Sequence, residues 1–303
     1  MRILVTGASG LLGLNLALEA SHQHEVFGSV NNNVIRTTTF TVLQSDLTAP
    51  GALEELFECR PDWVINCAAL ANLEACEAEP ALAEKLNSEL PEELAKFVAR
   101  GGARLVHIST DAVFDGRLGR YREIDAPNPL SLYARTKLNG EQAVLAANSE
   151  AIVARVNLFG WSISGKRSLA EWFFNNLSSG NRMQGFTDVF FCPLLANDLA
   201  KILLVMLEKG LQGLYHVVSS ECTSKFDFGV RLARQFEFDE SLIEPTSIAN
   251  AGLVAPRSPN LSLNSSKLTE ELGDSPPNLK EGLERFHAQY LNGHPEFIRQ
   301  MKI

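Results

Sequence analysis

A glycine-spaced turn after the first apolar segment constrains the fold of this chain most strongly. The sequence VTGASGLLG places Gly7, Gly10 and Gly13 after the strand-like run RILVT, at the start of the leucine-rich helical run LLGLNLALEA. Glycine permits a tight turn, and the missing side chains let backbone N–H groups approach a pyrophosphate at the helix N-terminus. A glycine-rich turn without a ligand is the alternative, but the position between strand and helix favours nucleotide binding.

The first half of the chain alternates short apolar runs with helical segments. RILVT, EVFGSV, TVLQ, WVINCAA and RLVHIS are predicted strands, and a helical stretch from Ala81 to Arg100 ends at Gly101-Gly102. Pro91 either divides this stretch or starts a second helix. Alternating strands and helices indicate an α/β fold with a Rossmann-type, doubly wound parallel sheet.

Beyond residue 156 this alternation stops. Aromatic and loop-rich stretches such as AEWFFNNLSSGNRMQGF accompany one further predicted strand, GLYHVVS, and no flexible linker separates the two halves. We therefore predict an NAD(P)-binding Rossmann domain over residues 1–155 and a smaller substrate-binding lobe over residues 156–303. Segments around residues 186–218 are expected to return to the Rossmann sheet.

Composition excludes several classes of function. The 303 residues are 45% hydrophobic, enough for a large core, and the net charge of −9 argues against a nucleic-acid-binding surface. No apolar run approaches the roughly 18 residues that span a bilayer, and Met1-Arg2 leads into a strand rather than a signal peptide. The expectation is a cytoplasmic protein that binds neither nucleic acid nor membrane.

The cysteines lead to a similar expectation. There are 5 of them, an odd number, and none shows the C-x-x-C spacing. This usage is typical of buried thiols in a reducing compartment rather than of a disulfide framework or a zinc site. No metal site is predicted.

The ends of the first, third and fourth predicted strands supply the candidate cofactor site. Small residues in NCAAL leave room for a ribose, whereas Asp46 either accepts from an adenine amino group or caps the next helix. The segment GSVNNNVIR offers neither a clear acidic partner for a ribose 2′-hydroxyl nor an adjacent arginine for a 2′-phosphate, since Arg36 is further along. The choice between NAD and NADP stays open. The predicted cofactor-binding residues are Gly7, Ser9, Gly10, Leu11, Leu12, Gly13, Asp46, Leu47, Cys67, Ala68 and Ala69.

The segment SLYARTKLNGE places Tyr133 four positions before Lys137. On a helix these residues share a face, roughly 5–6 Å apart at Cβ. A nearby ammonium lowers the pKa of a phenol, so such a tyrosine can donate a proton to a carbonyl oxygen near neutral pH. By itself the spacing is weak evidence, because helix faces use lysine freely.

Several blocks of sequence, taken together, are more specific. ISTDAVFDG, YREIDAPNPLSLYARTKLNGE and PRSPNLSLNSSKL follow TGASGLLG and NCAA in order along the chain. With these blocks the sequence resembles the extended short-chain dehydrogenase/reductase superfamily. Within it, the chain is similar to the dTDP-4-dehydrorhamnose reductase (RmlD-type) group and to a relative of that group, the regulatory subunit of methionine adenosyltransferase.

The resemblance implies roles for particular residues. Thr110 would hydrogen-bond the keto oxygen of the substrate, and Tyr133 would donate the proton. Lys137 would hold the nicotinamide ribose and keep the pKa of the tyrosine low; Tyr133 and Lys137 thus belong to the cofactor site as well. Arg257 would bind the pyrophosphate of a sugar nucleotide, unless it is an ordinary exposed arginine, and Asn157 would lie at the substrate.

Other residues near these blocks carry weaker expectations. Ser109 and Asp111 are expected to shape the end of the strand. Asn87 either supports the site or lies on a helix surface, and His107 is expected to be packed rather than catalytic. Two tryptophans, Trp161 and Trp172, line a sugar pocket or, as we favour, pack in the core. Ala112 stands where the family has tyrosine, and a pocket tryptophan segment is replaced by NLFGWSISGKR, which leaves the sugar undetermined.

The leading prediction is a reductase that transfers hydride from NAD(P)H to a nucleotide-linked 4-keto-deoxysugar. Reductive biosynthesis slightly favours NADPH over NADH. One alternative is a nucleotide-sugar epimerase or dehydratase of the same superfamily. Another is a non-catalytic NADP-binding regulatory subunit, and a homodimer is compatible with each.

Overall fold

The centre of the molecule is a seven-stranded parallel sheet. The computed structural model describes residues 1–250 and 258–303. The strands of the main sheet are β1 (Arg2–Thr6), β2 (Glu25–Val30), β3 (Thr41–Gln44), β4 (Trp63–Asn66), β5 (Arg104–Thr110), β6 (Ile152–Val156) and β11 (Gly213–Val217). Short strands elsewhere are β7 (Leu158–Phe159), β8 (Met183–Phe186), β9 (Phe190–Phe191), β10 (Leu194–Leu195), β12 (Thr223–Ser224) and β13 (Ile243–Thr246).

The main sheet has the order β11-β6-β5-β4-β1-β2-β3, and every neighbouring pair is parallel. The chain winds outward from β1 in both directions, so the order reverses between β1 and β4. In sheets of this type ligands bind outside the carboxyl ends of the strands at that reversal. The doubly wound Rossmann-type fold predicted from the sequence is confirmed.

Helices cover both faces of the sheet. The α-helices of the described residues are α1 (Leu11–Ala20), α2 (Ala52–Phe57), α3 (Leu73–Ala78), α4 (Pro80–Glu84), α5 (Leu90–Gly101), α6 (Leu132–Ala147), α7 (Leu169–Ser178), α8 (Ala196–Glu208), α9 (Lys225–Gln235), α10 (Ser266–Leu272), α11 (Leu279–Leu291) and α12 (His294–Gln300). One apolar core lies under α1 and α8, and a second lies under α2, α5 and α6. Over the described residues, no helix combines the length and apolar character needed to cross a membrane.

The predicted helical stretch before β5 is continuous from residue 80 to residue 101, with a π-helical turn at Lys85–Glu89. Pro91 lies directly after the π-helical turn without breaking the helix, and Gly102 ends the helix at φ +73°. The expectation of loop-rich structure beyond residue 156 is wrong in part, because the stretch AEWFFNNLSSGNRMQGF begins within a helix. A capping box between Ser168 and Glu171 starts α7, and the aromatic residues 172–174 lie within this helix.

The second half of the chain contributes one strand and one helix to the layers around the main sheet. Strand β11 pairs with β6, and α8 packs along α1. The second half also contains three small sheets, β7 with β10, β8 with β13 and β9 with β12. A domain boundary near residue 155 stays a prediction.

The cysteines depart from the expectation of free thiols throughout. Cys192 and Cys222 form a disulfide bond, with their Cα atoms 4.0 Å apart. The cause is the antiparallel pairing of β9 with β12, which sets Phe191 opposite Thr223 and therefore brings the adjacent cysteines together. Sequence spacing does not reveal this pairing, since 30 residues separate the two cysteines. Cys59, Cys67 and Cys76 are free thiols.

Candidate functional site

A cleft of roughly 520 Å³ opens at the carboxyl ends of the central strands. Its wall contains the glycine turn, the ends of β4, β5 and β6, and the first turns of α6. Of the predicted site residues, the following line it: Gly7, Ser9, Gly10, Leu11, Leu12, Gly13, Leu47, Cys67, Ala68, Ala69, Thr110, Tyr133, Lys137 and Asn157.

The glycine turn is held against the sheet so closely that side chains are excluded. Gly7 has a positive φ of +68°, and a Cβ there would lie 2.9 Å from the backbone nitrogen of Ala68. A Cβ on Gly13 would lie 2.2 Å from the carbonyl oxygen of Gly7. Gly10 precedes α1 without a side-chain cap. The first N–H groups of α1 therefore face the cleft free of a capping side chain, which suits an anionic ligand.

The adenosine end expected at β2 and β3 is polar and uncharged. Asn31, Asn32 and Asn33 line the cleft there. Asp46 is exposed and outside the lining; its carboxylate accepts from the backbone N–H of Thr48 at 3.0 Å and from the Thr48 hydroxyl at 2.7 Å. These bonds hold the pKa of Asp46 below its usual value. Asp46 does not cap the next helix, because α2 begins at Ala52 with Gly51 as its N-cap and has no side-chain cap. Its contact with an adenine amino group stays a prediction.

Thr110, Tyr133 and Lys137 lie on the same wall of the cleft. Thr110 ends β5, and its hydroxyl accepts from the N–H of Ala112 at 3.1 Å. Tyr133 and Lys137 project from the first two turns of α6, whose N-cap, Ser131, accepts from the N–H of Ala134. The strand end and the helix start thus bring a hydroxyl, a phenol and an ammonium together.

The ionisation of this group differs from the sequence-based expectation. Burial raises the pKa of Tyr133 to about 12, although a hydrogen bond with Thr110 acts in the opposite direction. Burial lowers the pKa of Lys137 to about 8. The lowering of the phenol pKa predicted from the four-residue spacing is wrong for this structure. The reason is burial of the phenol, which outweighs the favourable hydrogen bond. The Lys137 ammonium donates to the carbonyl oxygen of Ile108, 2.6 Å away.

A buried carboxylate adjoins the threonine. Asp111 is 4% exposed, accepts from the side-chain amide of Asn157 at 2.6 Å and accepts from the Thr110 hydroxyl at 3.2 Å. Burial raises the pKa of Asp111 to about 6. Asn157, expected to contact substrate, is therefore also a partner of Asp111 at the adjacent strand ends of β5 and β6.

A second layer of polar residues supports β5 from behind. The Ser109 hydroxyl donates to Glu141 at 2.5 Å, and Glu141 forms a salt bridge of 2.7 Å with Arg155. Both charged side chains are 3% exposed. As expected, Ser109 shapes the strand end rather than lying free for reaction.

His107 is buried next to Lys137. The N–H of Ala68 donates to Asn66 Oδ1 at 3.3 Å, which orients the amide so that Asn66 Nδ2 faces His107 Nδ1 at 3.1 Å. Nδ1 then accepts, and Nε2 carries the ring hydrogen, 3.4 Å from Lys137 Nζ. Burial, and secondarily the charge of Lys137, lowers the pKa of His107 well below its usual value. His107 is a packed, neutral histidine, as expected.

Asn87 is buried rather than on the helix surface. Its amide accepts from the N–H of Leu70 at 2.9 Å and donates to the Leu70 carbonyl at 3.1 Å and to the Thr136 hydroxyl at 3.0 Å. It therefore connects the segment after β4 to α6, and it has the supporting position that the sequence left open.

The two tryptophans differ. Trp161 is 1% exposed, stacks on Phe286 at 4.0 Å between ring centroids, and belongs to the core, as favoured. Trp172 is 43% exposed, so core packing is wrong for it, and neither ring lines the cleft. Arg257 lies outside the described residues.

Sequence reasoning missed two residues beside the cleft. Arg167 is exposed and lines the cleft, and Glu171, fully buried, accepts its backbone N–H at 2.9 Å. The pattern S-L-A-E at residues 168–171 is a capping-box signal that predicts the start of α7. It does not predict that the preceding arginine reaches the cleft, because that depends on how the second half packs on the first.

The parallel sheet, the glycine turn and the Thr110–Tyr133–Lys137 group define a Rossmann-type protein of the short-chain dehydrogenase/reductase kind. Residues 1–292 match the family described as RmlD substrate binding domain, and the chain belongs to that family.

Known relatives cover nearly the whole chain. It is 34% identical over 297 residues to the probable low-salt glycan biosynthesis reductase Agl14 of Haloferax volcanii, covering 96% of this chain and 98% of the relative. It is also 34% identical over 271 residues to dTDP-4-dehydrorhamnose reductase of Mycobacterium tuberculosis, covering 87% and 85%. Methionine adenosyltransferase 2 subunit beta of Xenopus tropicalis is 34% identical over 282 residues, covering 90% and 82%.

Among solved structures, a dTDP-4-dehydrorhamnose reductase from Clostridium acetobutylicum superposes with a TM-score of 0.82 at 27% identity. The superposition covers 96% of this chain and 100% of that one. The fold described above is therefore that of dTDP-4-dehydrorhamnose reductase structures.

Proposed function

We propose that the protein is an NAD(P)H-dependent reductase that acts on the keto group of a nucleotide-linked 4-keto-deoxysugar. The observation that carries this proposal is the convergence of Thr110, Tyr133 and Lys137 with the glycine turn on one cleft. Membership of the RmlD substrate binding domain family and the two reductase relatives support the same reaction class.

The residues fit a dinucleotide. Close packing at Gly7 and Gly13 leaves a turn without side chains, and the first N–H groups of α1 suit a diphosphate. Lys137 would hold the nicotinamide ribose hydroxyls, and the cofactor would supply the hydride. The three asparagines at the adenosine end carry no charge that selects between NAD and NADP; we favour NADPH, as reductive biosynthesis does.

Tyr133 is the proposed proton donor. With a pKa of about 12, its phenol is protonated at neutral pH and can donate as the keto oxygen becomes an alkoxide. Thr110 would donate a second hydrogen bond to the same oxygen once its hydroxyl hydrogen turns from Asp111 to the substrate. Asp111, held by Asn157, would keep the strand end in place rather than react. Arg257 is proposed to bind the substrate diphosphate.

The test is a direct spectrophotometric assay of cofactor oxidation. Purified protein is mixed with NADPH or NADH and dTDP-4-dehydrorhamnose or a related nucleotide-linked 4-keto sugar, and loss of reduced nicotinamide is followed by absorbance. We expect one mole of cofactor to be consumed per mole of sugar reduced. Conversion of the sugar without net cofactor consumption would instead indicate an epimerase or dehydratase.

A regulatory role is the second candidate, because methionine adenosyltransferase 2 subunit beta is as similar as the reductases. Under this proposal the protein binds NADP and a partner chain but reduces no sugar nucleotide. Affinity purification from its own cells, combined with the assay above, separates the two. If the protein is the reductase, we propose that its substrate is a nucleotide sugar, that it is cytoplasmic and that it forms a homodimer.

A further inference from the structure

Arg167 is a cation at the cleft to which the proposed reaction gives no role. It lies in the loop formed by residues 160–168, between β7 and α7, and it is exposed. Its guanidinium has no hydrogen-bond or ion-pair partner among the described residues, although the side chain lines the cleft. In the described lining, the other lysine or arginine is Lys137, which is 2% exposed and bonded to Ile108.

The backbone that carries Arg167 is fixed by a buried carboxylate. Glu171, 0% exposed, accepts from the backbone N–H groups of Ser162, Arg167 and Ser168 at 2.7, 2.9 and 3.1 Å. The hydroxyl of Ser162 also donates to it, at 2.8 Å. Because one carboxylate ties both ends of the loop together, the loop is organised before any ligand binds, and less ordering is needed on binding.

The same loop is anchored to the helix that follows the glycine turn. The Ser168 hydroxyl donates to the carbonyl of Gly160 at 2.8 Å, and a Cβ on Gly160 would lie 3.6 Å from the side chain of Leu11. Asn15 of α1 donates to the carbonyl of Trp161 at 3.0 Å. Arg167 is thus carried on a segment that packs against the first turns of α1, beside the uncapped N–H groups of that helix.

We propose that Arg167, which the second half of the chain contributes to the cleft, binds the diphosphate of the dinucleotide cofactor. This inference rests on the proposed function. A guanidinium offers a rigid fork of donors that suits phosphate oxygens, and it keeps its charge at all working pH values. In a chain of net charge −9, a local cation also offsets the repulsion that an anionic ligand meets.

Lys166 provides a matched control. It is adjacent, exposed and of the same charge, but it does not line the cleft. We expect Arg167→Ala to weaken NADPH binding about tenfold, since charge-assisted hydrogen bonds are worth roughly that factor or more. The affinity of Arg167→Ala for ADP-ribose, which retains the diphosphate and lacks nicotinamide, should fall by a similar factor. Lys166→Ala should change neither affinity. The loss of affinity in Arg167→Ala should become smaller as the salt concentration is raised, because salt screens the charge.

The experiment is isothermal titration calorimetry of the wild type and both variants with NADPH, ADP-ribose and dTDP, at low and high salt. Thermal melting checks that each variant is folded. Equal NADPH affinity of the wild type and Arg167→Ala would overturn the inference and leave the proposed function intact. A loss confined to dTDP would overturn it too, assigning Arg167 to the sugar-nucleotide diphosphate instead. If the wild type itself binds neither NADPH nor NADH, the proposed function falls together with the inference.

Discussion

The ammonium of Lys137 donates to the carbonyl oxygen of Ile108 over 2.6 Å. This bond connects α6 to β5 at the level of the cleft, where the phenol of Tyr133 lies one helical turn earlier on α6. On its other side, Lys137 Nζ lies 3.4 Å from the Nε2–H edge of the neutral His107. The ammonium is therefore buried with one carbonyl acceptor, and it is this burial that lowers the pKa of Lys137 to about 8.

The first prediction concerns pH. Because the pKa of Lys137 is lowered to about 8, its charge is present at neutral pH and is lost as pH rises through about 8. If Lys137 holds the cofactor ribose, NADPH affinity should fall over that interval. Lys137→Arg keeps a charge at all these pH values, so any affinity that it retains should stay level. Fluorescence titration with NADPH from pH 6 to about 10 measures this, and parallel curves for both proteins would contradict it.

The second prediction concerns the proton donor. Tyr133→Phe removes one hydroxyl and keeps the ring, so packing should survive. Loss of a general acid typically lowers the rate by about 10²–10⁴-fold, and we expect kcat to fall by that order while the Kd for NADPH stays nearly unchanged. Tyr290→Phe, on a 40% exposed ring outside the cleft, is the control. Wild-type turnover by Tyr133→Phe would remove this residue from the mechanism.

Much of the fold was predictable because local patterns agree with it. The apolar runs before Gly7, Cys67 and Asp111 end at the cleft, so the ends of parallel strands can be read from the sequence. The environment of Lys137 was not predictable from its spacing to Tyr133, because Ile108 and His107 reach it from a strand about 30 residues away. The position of Arg167 at the cleft was not predictable for the same reason, because it depends on tertiary packing.

The third prediction concerns the buried ion pair behind β5. Arg155→Met leaves Glu141 charged, 3% exposed and without its guanidinium partner. Removing one partner of a buried pair typically costs about 3–5 kcal/mol. We expect a loss of that size in the free energy of unfolding, measured by urea denaturation. Arg182→Met, which breaks the exposed pair with Glu244, should cost less than about 1 kcal/mol. Similar losses for the two variants would contradict the assignment.

The fourth prediction concerns stability against pH. Burial raises the folded-state pKa of Asp111 from 3.8 to about 6, so the folded protein binds this proton more tightly than the unfolded chain. Asp111 therefore opposes folding increasingly as pH rises from about 4 to 6, by on the order of 2–3 kcal/mol. Asp111→Asn, which keeps an acceptor for Asn157, should remove this decline. The test is to measure the melting temperatures of the wild type and Asp111→Asn from about pH 4 to 6. A difference between the two proteins that stays the same across this range would argue against the prediction.

The last prediction concerns the glycine turn. Gly10 has φ −78° and ψ 170°, a conformation open to any residue, and a Cβ there would meet one protein atom within 4 Å, the carbonyl oxygen of Gly7 at 3.0 Å. Gly10→Val should therefore fold once the Gly7 carbonyl shifts by a few tenths of an ångström, and its side chain would occupy the approach to the N–H groups of α1. We expect NADPH binding to be abolished in calorimetry while the melting temperature stays close to that of the wild type. Gly101→Val, at a position with open space around its Cβ, should bind as the wild type does. Undiminished NADPH affinity in Gly10→Val would mean that the diphosphate does not approach this turn, and the cofactor assignment would fall.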